Sequence, residues 1–461
     1  MPAPSITPVT TKTRLRTWLG AAVAVVLLGA VAFVLVPGQD PFPNAPGPGQ
    51  PLGAATPAPP ADEADESRTQ AVEDLLDRRA TAIRQHDEAA FMATVDPGAD
   101  KVFVYNQRQL FRNIAKVPFA TWEYDVHADD TLDVDDLPAK TSAGADELWA
   151  PAVDLRYALR GGDVTPTSRA MGYLFAKHDK ADGSGWYLRS DSALNNLGRR
   201  TWRGPWDFGP CQVTAAKHGI VLHHPRNEQM VDRLVRELDP SVRAVGDIWP
   251  ASWSQRVVLM LPDSAGEMKA LVGPDFPVDS VVAVAVADRV DNASRTVTGQ
   301  RVVLSPTGVR ALSIPSLRVV LRHEITHLAA RADTVDGSPT WLLEGFADYV
   351  GYRDSGLSLA EGAPDLARQF RADGPPTSLP EDRAFRSSGS DLDLAYQQSW
   401  SLARFVADRY GEDTLVKLYR TLAAVGPASA RKTDDLLRDV LGMDRKRLVG
   451  DWQDYLRKAL G

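Results

Sequence analysis

The stretch His323-Glu324-Ile325-Thr326-His327 places two histidines four residues apart, with a glutamate directly after the first. On a helix, side chains at this spacing lie one turn apart on one face, so both imidazoles can bind the same metal ion. Two imidazoles so arranged bind Zn²⁺, and the glutamate can take a proton from water on the metal. Only 8 of the 461 residues are histidines, so chance produces this pattern in roughly one chain in a hundred. The pattern predicts the outline of a catalytic zinc site.

Two apolar segments around this motif predict a pair of consecutive helices. The first covers 317–331, with Ser316 as its candidate N-cap, and the second covers 340–353. Glu344 and Asp348 lie four residues apart on the second helix, so both carboxylates face the same way. Glu344 can supply a third protein ligand, and Asp348 can accept a hydrogen bond from a ligating imidazole. The alternative is that these residues are ordinary polar groups on two amphipathic helices. The occurrence of two histidines and three carboxylates in this order disfavours that alternative.

The second helix also carries the pattern W-L-x-E-G-x-A, which starts at Trp341. H-E-x-x-H followed by such a helix resembles the gluzincin zinc metallopeptidases, and among them the bacterial peptidase MA-like domains. The resemblance covers residues 201–461. It implies that Glu324 is the general base and that Asp348 orients an imidazole. It implies three zinc ligands, namely His323, His327 and Glu344.

A further catalytic candidate, Tyr396, comes from the same resemblance. Many gluzincins use a downstream tyrosine or histidine to stabilise the oxyanion, and no histidine follows His327 in this chain. Tyr396 is therefore the candidate donor, and an arginine of the C-terminal helices, such as Arg404, is the alternative. Tyr396 can equally be a tyrosine that packs between helices.

Length, charge and cysteine content exclude several classes of protein. A chain of 461 residues is too long for one compact core, so two or three domains are expected. The net charge of −8 and the lack of a basic stripe argue against nucleic acid as a partner. The single cysteine, Cys211, excludes an intrachain disulfide framework and a cysteine-based zinc site.

An apolar segment at 18–36 is long enough to span a membrane, and three basic residues precede it. The positive-inside rule keeps residues 1–17 in the cytoplasm and places the rest of the chain outside. The segment ends without a small-residue cleavage pattern, so an uncleaved signal anchor is favoured over a secreted protein with a cleaved signal peptide. Residues 37–66, rich in Pro, Gly and Ala, are expected to form a linker.

Residues 67–200 are predicted to form a separate α+β domain. Helices come first, followed by four strand-like segments separated by glycine-rich turns: 122–126, 153–159, 173–177 and 186–189. Helices followed by a curved antiparallel sheet resemble the NTF2-like cone. The domain offers no convincing catalytic pair, so a docking or ligand-binding module is expected.

Residues 201–461 are expected to form the zincin-like domain, with 201–218 as a packed linker. Buried strands are predicted at 220–223, 256–261, 281–286 and 301–304, and a helical subdomain follows from about 358. One of the last three strands is expected to pair with the substrate backbone. His223 and His224 point to opposite faces of a strand, so we expect a structural or surface role for them.

The expected fold class is α+β: a membrane-anchored two-domain chain with an NTF2-like cone, then a small sheet, an active-site helix and a helical C-terminal subdomain. The expected function is zinc-dependent hydrolysis of peptide bonds in a peptide or protein substrate outside the cytoplasm. Two alternatives stay open. One is a catalytically silent zinc protein that binds partners at the cell surface, which the intact Glu324 disfavours. The other is the same chemistry on a non-peptide amide.

Overall fold

The structure is a computed structural model that describes residues 34–35, 63–178, 185–249, 253–274, 276, 278 and 281–461. Helices and mostly short strands make up these residues, which confirms the predicted α+β class. The strands are β1 (Val34–Leu35), β2 (Phe119–Thr131), β3 (Glu147–Trp149), β4 (Pro151–Leu159), β5 (Thr167–Met171), β6 (Leu174–His178), β7 (Gly185–Ser190), β8 (Gln212–Ala216), β9 (Gly219–His223), β10 (Val257–Leu261), β11 (Ala283–Ala287), β12 (Arg289–Asp291), β13 (Thr296–Thr298) and β14 (Arg301–Leu304). The helices are α1 (Glu63–Gln85), α2 (Glu88–Met92), α3 (Lys101–Asn113), α4 (Ala139–Ser142), α5 (Glu228–Gly246), α6 (Ala265–Val272), α7 (Gly308–Ala311), α8 (Ile314–Ala330), α9 (Thr340–Tyr352), α10 (Leu359–Gly362), α11 (Pro364–Asp373), α12 (Ser390–Tyr410), α13 (Glu412–Ala423), α14 (Ala430–Leu441) and α15 (Arg445–Leu460).

The first part of the chain has helices α1 to α3 followed by antiparallel strands. These strands form two three-stranded sheets, ordered β2-β4-β5 and β3-β6-β7, rather than the one curved sheet expected. Strand β3 ends at Trp149 and β4 begins at Pro151, and the two strands pair with different partners. All four predicted segments contain strand, whereas β3 and β5 were not predicted. The NTF2-like resemblance stays a prediction.

The second part is built on a mixed sheet of six strands, ordered β1-β11-β14-β10-β9-β8. Strands β9, β10 and β14 run parallel, while β11 is antiparallel to β14 and β8 is antiparallel to β9. All four predicted buried strands are present, but β8 lies in the segment 201–218 that was expected to be a linker. Its residues are mostly half-buried at the sheet edge, so no continuous apolar run marks them.

Each face of this sheet packs in a different hydrophobic core. Residues such as Val221, Leu259 and Val302 face a core shared with α5, α8 and the C-terminal helices. Their neighbours Ile220 and Met260, one position away, face a second core that also contains residues of α1 and of β4. This alternation follows from the period of two in a strand. The sheet therefore lies between the first part of the chain and the helical C-terminal part.

The helices that carry the sequence motif are close to their predicted bounds. Helix α8 begins at Ile314, three residues earlier than predicted, and its N-cap is Ser313 rather than Ser316. The side chain of Ser313 accepts a hydrogen bond from the backbone N–H of Ser316. Pro315 does not interrupt the helix, because proline is tolerated in the first turn, where its missing N–H has no intrahelical partner. From α9 onward the chain is helical, as predicted.

The predicted N-terminal segments fall almost entirely outside the described residues. The transmembrane segment at 18–36, except for Val34–Leu35, lies there, as does most of the linker at 37–66. Helix α1 begins at Glu63, so the acidic end of the predicted linker forms its first turn. Within the ranges that the structure describes, every helix is too short or too polar to cross a membrane.

Candidate metal centre and active site

Three side chains from α8 and α9 converge at the centre of the second part of the chain. The Nε2 atoms of His323 and His327 lie 3.1 Å apart. Oε2 of Glu344 lies 3.4 Å from the first of these nitrogens and 3.6 Å from the second. The three residues are 7%, 1% and 1% exposed, so all three side chains are buried. The structure thus brings together the three ligands that the sequence predicted, as a group whose donor atoms all lie within 4.8 Å of one another.

The opposite side of His323 faces Asp348, one turn beyond Glu344 on α9. Nδ1 of His323 donates a hydrogen bond to Oδ1 of Asp348 at 2.8 Å. With its proton on Nδ1, the imidazole keeps the lone pair of Nε2 directed at Glu344 and His327. The structure therefore places Asp348 behind the imidazole of one candidate ligand, as the resemblance implied.

Burial and mutual contact set the protonation of these groups. Burial would lower the pKa of His323, but its hydrogen bond with Asp348 and its contact with the carboxylate of Glu344 raise that pKa well above its usual value. Burial lowers the pKa of His327. Burial opposes ionisation of Glu344, but the charge of His327 and contacts with both histidines hold its pKa below the usual range. These shifts favour an ionised Glu344 beside a protonated His323 and a neutral His327, so a bound metal ion would displace the Nε2 proton of His323.

This donor set fits a divalent cation. The contacts of Glu344 with the histidines are longer than good hydrogen bonds, and its Oε2 has no hydrogen-bond partner among the described residues. A buried carboxylate oxygen without a partner is costly unless a cation or a donor satisfies it. Two imidazole nitrogens and one carboxylate oxygen are the ligands of a catalytic zinc site with one position left for water.

Glu324 lies beside the metal centre on α8, the helix that packs against strand β11. It is 3% exposed, and the backbone N–H of Ala285 on β11 faces its carboxylate closely enough to oppose the rise of its pKa. Burial, together with the nearby charge of Glu344, raises the pKa of Glu324 to about 7. A carboxylate with such a pKa can both accept and release a proton near neutral pH. The contribution of Ala285 was not predicted, because it comes from a backbone N–H, which side-chain patterns in the sequence do not reveal.

Close packing between α9 and α12 explains one residue of the W-L-x-E-G-x-A pattern. A Cβ at Gly345 would lie 2.5 Å from the backbone carbonyl oxygen of Ser399 on α12. Only glycine allows the helices to approach this closely. Because Gly345 follows Glu344 directly, this approach also places the third ligand.

The candidate oxyanion donors lie on α12. Tyr396 is 2% exposed, and its ring lies 5.4 Å from that of Phe385. The guanidinium of Arg404 donates to the carbonyl of Leu357 at 3.1 Å and approaches Asp408 at 3.8 Å. Tyr396 and Arg404 both stay candidates for this role.

The other histidine pair is buried rather than on the surface. His223 and His224 are 4% and 3% exposed. Nε2 of His224 lies 2.9 Å from Oε1 of Glu267, and Nε2 of His223 lies 3.1 Å from the hydroxyl of Thr214. The two imidazoles have separate partners, which fits the structural role expected for them.

A family model and several solved structures are similar to this chain. Residues 306–458 match the family model described as the Peptidase MA superfamily. A crystal structure of a mutant M1 zinc metallopeptidase from Deinococcus radiodurans is similar to this chain with a TM-score of 0.31 and 11% identity, covering 73% of this chain and 94% of that one. A second structure, of the mutant bound to a Tyr-Ser-Ala substrate, gives a TM-score of 0.32 and 12% identity, with coverages of 73% and 93%. No curated protein matches the chain. The family match spans all three candidate ligands and supports a gluzincin-like peptidase domain in residues 306–458.

Proposed function

We propose that this protein is a zinc-dependent peptidase that hydrolyses peptide bonds, with His323, His327 and Glu344 as the metal ligands. The observation that carries the proposal is the convergence of these three buried donor atoms, within 4.8 Å of one another. The match of residues 306–458 to the Peptidase MA superfamily supports the same chemistry. Zinc at such a site polarises a carbonyl group and lowers the pKa of water to near neutrality.

Glu324 is the proposed general base. It is the buried carboxylate next to the ligands, and its pKa is raised to about 7. It takes a proton from the attacking water and then donates that proton to the amine that leaves when the peptide C–N bond breaks. The N–H of Ala285, which faces this carboxylate from β11, supports this role.

Strand β11 is the proposed site of substrate backbone pairing. Of the three strands considered from the sequence, β10 and β14 each lie between two other strands. Strand β11 has β14 on one side, and on its other side the described residues pair with it only at Val286 and Ala287, through β1. An extended peptide can add to such an edge through backbone hydrogen bonds.

Tyr396 is proposed as the donor that stabilises the oxyanion, supported by its position on α12, the helix packed against α9.

The proposed location is the extracytoplasmic face of a membrane, with 18–36 as the anchor, and the amino-acid sequence of that segment supports it.

A cleavage assay on a peptide library tests the proposed function. The full-length protein should cleave peptides, lose this activity with a zinc chelator and regain it when zinc is added back. Internal cleavage or release of terminal residues will distinguish an endopeptidase from an exopeptidase. Stoichiometric zinc binding without cleavage of any peptide would contradict the proposal and favour a silent binding protein or an enzyme for another amide.

A further inference from the structure

A buried ionic network joins the first part of the chain to the sheet that contains β11. Arg169 and Thr167, both on β5, bind Asp288, which directly follows β11, and the Thr167 hydroxyl donates to Oδ2 of Asp288 at 2.8 Å. Asp163, in the turn between β4 and β5, accepts from Arg301, the first residue of β14, with Nη2 and Oδ2 2.9 Å apart. Asp163, Thr167 and Arg169 thus belong to one hairpin, and we name them the β4–β5 clamp.

The clamp is shielded from water and electrically balanced. The side chains of Arg169 and Asp288 are 8% and 2% exposed, and those of Arg301 and Asp163 are 3% and 5% exposed. The ring of Trp202 covers the guanidinium of Arg169 at 5.0 Å. Two buried ion pairs add little to the free energy of unfolding compared with apolar residues of similar size. They are favourable only in a narrow range of geometries, because both charged groups must keep their hydrogen bonds. The hydrophobic effect in the apolar core around them is not directional. The clamp therefore fixes the position of the β4–β5 hairpin relative to β11 and β14.

The clamp holds the end of the strand that supports the proposed base. Asp288 follows Ala285 by three residues, a distance of roughly 10 Å along an extended strand. Strand β11 packs against α8, and the backbone N–H of Ala285 faces the carboxylate of Glu324 there. The backbone N–H of Asp288 donates to the carbonyl of Thr298 at 3.0 Å, so both its main chain and its side chain are fixed. A shift of Asp288 would therefore move Ala285 relative to α8.

We propose that residues 63–200 act as a positioning domain, whose β4–β5 clamp holds β11 in register with Glu324. Arg169 and Asp288 are positioning residues in this account, because they act through β11. Loosening the clamp should displace β11 while leaving the zinc ligands on α8 and α9 in place. The consequence for catalysis rests on the proposed function, whereas the consequence for β11 does not.

A double variant of the full-length protein, Arg169→Met with Asp288→Asn, tests the inference. It removes both charges together, so no unpaired charge stays buried. The matched control is Arg189→Met with Asp96→Asn, another buried pair, 2.9 Å apart, with both residues in the first part of the chain. Hydrogen exchange should accelerate on β11, relative to β10, by about tenfold or more in the clamp variant but not in the control. Equal protection of β11 in the two variants would overturn the inference.

Kinetics and zinc content provide a second, independent test of the inference. The clamp variant should lose about tenfold or more in kcat/KM, because the base and the substrate edge are displaced, and it should keep the zinc content of the wild type. Wild-type kcat/KM in a folded clamp variant would overturn the inference. If the double variant does not fold, Thr167→Val removes a single hydrogen bond to Asp288 and is judged by the same exchange measurement. If the wild type cleaves no peptide, the proposed function fails, while exchange on β11 still decides whether the clamp positions that strand.

Discussion

His323 and Asp348 face each other across the two central helices, with Nδ1 of the imidazole 2.8 Å from Oδ1 of the carboxylate. This contact fixes the tautomer of the imidazole and directs Nε2 toward Glu344 and His327. A single residue outside the ligand set thus determines how one ligand presents its lone pair.

Replacing Asp348 with asparagine should weaken zinc binding by about 10-fold to 100-fold, because the imidazole loses the carboxylate that orients it. Competition with a chelator of known affinity measures the change. Asp354→Asn, at an exposed position just after the same helix, is the matched control and should bind zinc as the wild type does. Equal affinity in the two variants would show that Asp348 does not orient a ligand.

Replacing Glu324 with glutamine should lower kcat by about 10²-fold to 10⁴-fold, because the amide cannot accept the proton of the attacking water. Zinc content should stay unchanged, since Glu324 is not among the ligands. Glu228→Gln, on the exposed first turn of α5, is the control and should retain full activity. Turnover at the wild-type rate in the Glu324 variant would remove this residue from the mechanism.

The activity of the wild type should fall as the solution becomes more acidic than pH 7. Burial raises the pKa of Glu324 to about 7, and a general base works only when it is ionised, so protonation below that pH removes it. The slope of log kcat/KM should approach about one decade per pH unit on the acid side. A profile that stays flat down to pH 5, in a protein that retains its zinc, would contradict this assignment.

The close approach of α9 to α12 predicts a specific loss of stability. Gly345→Ala should lower the free energy of unfolding by about 1–3 kcal/mol, because its methyl group would press on the carbonyl of Ser399. Gly450→Ala is the matched control, since open space surrounds that position on α15, and it should raise stability by about 0.5–1 kcal/mol. Denaturant unfolding compares the two variants, and equal effects would argue against a tight helix contact.

The metal centre was predictable because its parts lie close together in sequence. Two histidines on α8 and two carboxylates on α9 follow the helical period, so local pattern alone sets which side chains share a face. The N-cap was misplaced because Ser313 and Ser316 both precede apolar helical residues, and only the hydrogen bond between them shows which one lies outside the helix.

Long-range pairing was the part that the sequence did not reveal. Strands such as β10 are apolar on both faces, so nothing in Val257–Leu261 tells which side faces α8 and which faces the first part of the chain. The role of Ala285 depends on a backbone group, and that of Arg169 on a partner more than a hundred residues away, at Asp288. Side-chain periodicity carries no information about either contact.

Zinc content is the most direct measurement of whether His323, His327 and Glu344 bind one metal ion. The purified full-length protein should hold about one zinc ion per chain, and His327→Ala and Glu344→Ala should each lose it. Glu324→Gln, altered beside the ligands but not among them, should keep the wild-type amount. Undiminished zinc in His327→Ala, or a wild type that binds none when zinc is supplied, would contradict the account.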